Sequence, residues 1–127
     1  MQYNTVKQLS VRLPNMINYP EDLTSILCPV QKTAELIGSK WSILIIRELH
    51  SNSSRRFNEF SRSLKPISSR TLSLKLKELV EYEIIEKKIM STSPPHTEYS
   101  LTEKGEDLAT VLSAMAEWSY KWHDNEK

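Results

Sequence analysis

The stretch SSRTLSLKLKELVEYEIIEKK, residues 68–88, decides the fold. Stepping roughly 100° per residue from Leu72 brings Leu76 and Leu79 back to nearly the same direction, with Val80 close by. Arg70, Ser73, Leu74 and Lys77 gather on the opposite side. Such a helix clamps to a core through its leucines and turns two cations, a hydroxyl and one leucine outward. Ser68 is the kind of residue that caps a helix N-terminus. Beyond the helix, Ile84–Met90 is rich in β-branched residues and predicts a strand.

Pro66 in KPIS pushes Lys65 out of the α region and predicts a tight turn. Before it, Asn58 is the expected cap of a short helix whose Phe60 and Leu64 face inward, and the polar run SNSSRRF ends in a minimal strand at Arg56–Phe57. After the strand, STSPPHT forms a loop tip stiffened by Pro94 and Pro95, and EYSL returns as a second strand. Thr102 caps a last helix with Glu103 in its first turn, where the dipole favours an acid. Leu108, Val111, Leu112, Met115, Trp118 and Trp122 line one side of it. Upstream, Pro29 opens a helix bearing Val30, Ala34 and Ile37, Gly38 breaks it, and Ser39 caps another with Trp41, Leu44, Ile45 and Leu49 in its stripe. Residues 1–27 carry a hydrophobic stripe interrupted by Pro14 and Pro20, and read either as an arm on a partner subunit or as a tail. Two short helices joined by a tight turn and followed directly by a hairpin form a winged helix-turn-helix. The fold class is therefore mainly α with a small β-hairpin wing (α+β), occupying residues 28–127.

Bulk properties narrow the function. The 127 residues suit one domain, and the only two glycines leave no glycine-rich phosphate cradle. No apolar run approaches the roughly 20 residues of a membrane helix, and the first thirteen residues lack the continuous apolar stretch of a secretory signal. The single cysteine, Cys28, excludes an intrachain disulfide. The expectation is a cytoplasmic protein with no membrane partner. His50, His96 and His123 are scattered without metal-ligand spacing, and the three aspartates form no pair. No catalytic residue, metal ligand or cofactor is assigned, and an enzyme is not expected. Nor do the residues specify a small-molecule effector.

Charge distribution points elsewhere. Net charge is only +1, yet residues 55–88 hold nine cations against five glutamates, while residues 98–127 hold three against seven acids. A small domain so polarised can offer one face to phosphates while the other repels them; an ordinary solvated helix of mixed charge explains the count equally well. The order of helix, turn and hairpin favours the first reading, with double-stranded DNA as partner. The outer face of residues 68–77 then enters the major groove, about 12 Å wide. Arg70 suits guanine, Ser73 a base edge or phosphate, Leu74 a thymine methyl, and Lys77 a phosphate. Ser68 and Ser69 join the helix N-terminus in holding a phosphate oxygen. Arg55 and Arg56 before the first helix, and Lys87 and Lys88 at the hairpin base, are expected backbone contacts. His96 is either a minor-groove or phosphate contact of the wing or an idle loop histidine. The rival class is a winged-helix protein-interaction module without DNA binding, which the outward Leu74 favours.

CPV, IGSKWSILIIREL, RFNEF, ISSRTLSLKLKEL and PPHTEYSLTEKG, in this order and spacing, resemble the HxlR-type winged-helix transcription regulators over about Cys28 to Trp118. That resemblance implies a homodimeric regulator on a pseudo-palindromic operator, with N- and C-terminal helices making the dimer. Leu108, Val111, Met115, Trp118 and Trp122 would divide between core and dimer contact. It also points to Cys28 as a redox or electrophile sensor; a thiol at a helix N-terminus has its reactive thiolate stabilised, while a small buried hydrophobe is the alternative. Three positions depart from the family. Glu83 stands where glycine is usual, Leu74 where polar residues are commoner, and His96 where lysine or arginine is frequent.

Overall fold

A computed structural model of the chain describes residues 29–123. Cys28 and the arm at 1–27 lie outside the described residues. Contacts divide the chain after Gly38, and each part is considered by itself.

The first part contributes α1 (Pro29–Leu36). Pro29 occupies its first position, where a missing N–H costs nothing, and the Thr33 hydroxyl donates back to the Pro29 carbonyl at 3.1 Å. Of the three residues expected along one side, Ile37 is buried, whereas Val30 and Ala34 are exposed.

The second part begins with Ser39, whose hydroxyl accepts from the Ser42 N–H at 3.1 Å and starts α2 (Lys40–Ser51). Ile45, Ile46 and Leu49 are its core residues; Trp41 and Leu44, expected in the stripe, are only half-buried, and the small Ser42 takes a buried place instead. The apolar face is thus turned toward Ile46 from where the spacing put it. The minimal strand comes one residue earlier than expected: Arg55 pairs through its backbone with Tyr99, N–H to carbonyl, at 3.0 and 2.8 Å. The cap of α3 (Phe57–Ser63) is Arg56 rather than Asn58. Glu59 makes this possible, because its carboxylate reaches back 2.8 Å to the Arg56 backbone N–H, which is half of a capping box. Phe60 and Leu64 are buried as expected.

Ser68 caps α4 (Ser69–Glu81), accepting from the Thr71 N–H at 3.0 Å. Leu72, Leu76 and Leu79 lie inside and join Ile45, Ile46, Leu49, Phe60 and Ile84 in one core. α4 ends in a Schellman motif: Ile84 N–H bonds to the Leu79 carbonyl and Glu83 N–H to that of Val80, both at 2.9 Å. The motif needs a left-handed residue at Glu83, and Glu83 supplies φ 63° without the help of glycine. The junction thus closes a Schellman motif with a non-glycine residue in the left-handed position.

Strands β1 (Ile85–Met90) and β2 (His96–Leu101) pair antiparallel, from Ile85 opposite Leu101 to Met90 opposite His96. β2 therefore starts two residues before EYSL. The expected last helix is two: α5 (Glu103–Asp107) and α6 (Ala109–His123), separated at Leu108, whose N–H bonds back to Gly105 at 3.0 Å. Gly105 explains why α5 is fixed where it is. A Cβ there would collide with the Ile84 carbonyl, so only glycine lets α5 sit against the hairpin base. Thr102 adds a hydroxyl that caps α5 and donates to the Glu83 carbonyl at 2.7 Å. This is a winged helix-turn-helix, with α3 and α4 as the two helices and β1–β2 as the wing.

Candidate nucleic-acid interface

The outer face of α4 is open. Arg70, Ser73 and Lys77 are exposed and make no hydrogen bond or ion pair with the described residues, and Leu74 is 50% exposed. Directly behind them Leu72 and Leu79 are fully buried, so the outward aim of the polar row is fixed by the leucines. Lys104 steadies the far end: its ammonium donates to the Tyr82 carbonyl at 2.9 Å, where the helix dipole welcomes a cation. At the near end the Ser68 hydroxyl is committed to the cap and to the Thr71 hydroxyl at 3.0 Å, while Ser69 is exposed.

The flanking cations differ in freedom. Arg56, Lys87 and Lys88 are exposed and form no ion pair within contact distance among the described residues, although the charge of Arg56 acts on Glu98. Arg55 is held by the fold: its Nε lies 3.5 Å from Glu48, too poorly aligned for a hydrogen bond, and is buried. Glu48 also accepts from the Ser63 hydroxyl at 3.1 Å and meets Arg47 at 3.7 Å, which makes it a hub joining α2 to α3.

His96 is not free. Its Nε2 lies 2.8 Å from a Glu98 oxygen and its Nδ1 3.0 Å from the Thr92 hydroxyl. The second Glu98 oxygen accepts from the Ser54 hydroxyl at 3.1 Å, which ties the wing to the loop before Arg55. Hydrogen bonding from His96, then from Ser54, holds the Glu98 carboxyl below its usual range. Beneath the wing Tyr99 meets Phe60 edge-on at 6.3 Å, and burial pushes the Tyr99 hydroxyl up. Ser54 and Glu98 were not singled out from sequence; they are 44 residues apart, and no local pattern links them.

The C-terminal candidates behave differently from a core. Leu108 is half-buried, but Val111, Met115, Trp118 and Trp122 are exposed, and α6 buries no residue at all. No helix of the described residues is long and apolar enough to cross a membrane.

Together these features define a winged helix-turn-helix protein whose second helix leaves its outer face exposed among the described residues. The chain belongs to the HxlR-like helix-turn-helix family, whose model matches residues 36–127; it is a transcriptional regulator and not an enzyme. It is 37% identical over 103 residues to an HTH-type transcriptional regulator of Synechocystis, covering 81% of this chain and 76% of that one. With the regulator YodB of Bacillus subtilis it shares 36% identity over 94 residues, 73% of this chain and 83% of YodB. The reduced YodB structure superposes with a TM-score of 0.69, covering 80% of this chain and all of that one at 33% identity. The redox regulator HypR in its oxidized form gives 0.69 at 37% identity, over 74% of this chain and 96% of that one.

Proposed function

We propose that the protein is a homodimeric, sequence-specific DNA-binding regulator acting on a pseudo-palindromic operator. The observation that carries the reading is the split face of α4, with three leucines inside and Arg70, Ser73 and Lys77 outside and unpaired. Seated in the major groove, Arg70 bonds bidentately to guanine and Ser73 meets a base edge or phosphate, while Leu74 contacts a thymine methyl. Lys77, Ser69 and the α4 N-terminus hold backbone, with Arg56, Lys87 and Lys88 following the phosphates alongside. Ser68 serves by shaping that N-terminus, and Arg55 by anchoring the wing. Two copies joined through α6 set half-sites about one helical turn, roughly 34 Å, apart.

A gel-shift titration with selected duplexes tests this reading. Phosphate binding falls steeply between low and physiological salt, whereas apolar docking onto a protein does not. Salt-insensitive binding would favour the interaction-module alternative that Leu74 suggests.

The response extends to thiol chemistry at Cys28. Its support is similarity to HypR, described as a redox regulator in oxidized and reduced forms, and to YodB, described reduced and after diamide treatment. With no other cysteine in the sequence, a disulfide joins Cys28 either to its counterpart in a second copy or to a small thiol, the oxidant accepting two electrons. Duplex selection repeated after oxidant treatment reads this directly; identical affinity in Cys28→Ser and wild type under oxidant retires it.

A further inference from the structure

A threonine hydroxyl has one proton to give. Thr92 gives it to the Pro94 carbonyl at 2.7 Å, so the Thr92 oxygen can only accept from His96 Nδ1, 3.0 Å away. A carboxylate accepts only, so His96 Nε2 must also donate, to Glu98 at 2.8 Å. Both ring nitrogens carry protons in this arrangement, and an imidazole that does so is a cation. A neutral ring paired to Glu98 leaves Nδ1 bare; Thr92 must then swing its proton to the ring and release Pro94, or the contact opens.

We propose that His96 is the positioning residue of the wing, and that its protonated form closes the Thr92–Pro94 turn and presents the tip to a DNA phosphate backbone. The inference rests on the DNA-binding reading for its second half only. Histidine is the side chain suited to such a role, since its charge changes between pH 5 and 8. The charged group on the ring is Glu98 on β2, and Glu98 in turn faces Lys88 across the strand pair on β1 and feels the charge of Arg56 from before α3. Met90, opposite His96 itself, carries no charge. The same proton links the tip to the body, because Glu98 bridges His96 to Ser54.

Ring-nitrogen NMR on the free protein across pH 5.5–8.5, beside operator titrations at fixed ionic strength, tests both halves. The expected result is that His96 gains its second ring proton together with shifts in the amides of Thr92 and Ser93. Operator affinity rises about fivefold over the same pH interval, the size of one charge-assisted contact. His96→Gln and Thr92→Val both flatten that rise, and His50→Gln, on α2, preserves it. A ring that titrates while the tip amides stay still overturns the turn-closing role. A full pH slope in Thr92→Val shows His96 acting as a bare charge and overturns its role as a positioning residue. If the wild type binds no duplex at any pH, the DNA reading fails, and the NMR arm still decides the proton count.

Discussion

At the scale of single residues, burial separates positions that look alike in the sequence. Leu72 and Leu74 are two apart on one helix, yet the first is fully buried and the second half exposed. Leu72→Ala is expected to lose about 2–5 kcal/mol, the cost of a core cavity, and Leu74→Ala less than about 0.5 kcal/mol, both by urea denaturation. On DNA, Arg70→Ala should cost about 1–3 kcal/mol and relax preference at one base position, while Lys77→Ala weakens all sequences alike. Glu83 carries a different penalty. A side chain at φ 63° is strained and glycine is not. Glu83→Gly should therefore raise the urea midpoint by the equivalent of about 0.5–1 kcal/mol at unchanged slope; a lower midpoint would show that the glutamate contributes something beyond filling the turn.

Among the elements, those governed by local pattern were legible and those governed by distant partners were not. Periodicity placed Leu72, Leu76 and Leu79 inside and Arg70 and Lys77 outside, and the capping preference of serine and threonine placed Ser39, Ser68 and Thr102 at helix starts. Asn58 has the better capping side chain, yet Glu59 reaching back to Arg56 moved the start of α3 by two residues. The hairpin came out longer than its β-prone letters because His96 and Thr97 are held by pairing with Met90 and Ile89 across the wing. The tie from Glu98 to Ser54 spans half the domain and left no trace in either neighbourhood. That tie has an acid limit. Since the Glu98 carboxyl is held below its usual 4.5, its contribution is complete above that pH and is lost as the pH falls through the lowered value. Amide protection in β1 and β2, taken relative to the intrinsic exchange rate at each pH, should fall on acidification below about pH 4.5 in the wild type. In Glu98→Gln protection should already be lower at neutral pH and respond less to acid.

For the whole molecule, the exposed apolar length of α6 is the feature that the other described residues leave uncovered. Val111, Met115, Trp118 and Trp122 present far more apolar surface than scattered surface residues do. Their proposed place in a dimer rests on family resemblance alone; periodicity showed a stripe without saying what it meets. Trp118→Glu is expected to give a folded monomer by sedimentation velocity and to weaken operator binding sharply, because half-sites then bind singly. A dimer that survives the change would move the subunit contact elsewhere. How the outer face of α4 meets DNA is read by selection from random duplexes with wild type and Arg70→Ala side by side. The wild type is expected to enrich a two-fold symmetric site whose half-sites are one helical turn or a multiple apart, and Arg70→Ala to lose one guanine in each half while keeping the spacing. Enrichment of the same site by both proteins, or of none by the wild type, would contradict this use of the α4 face.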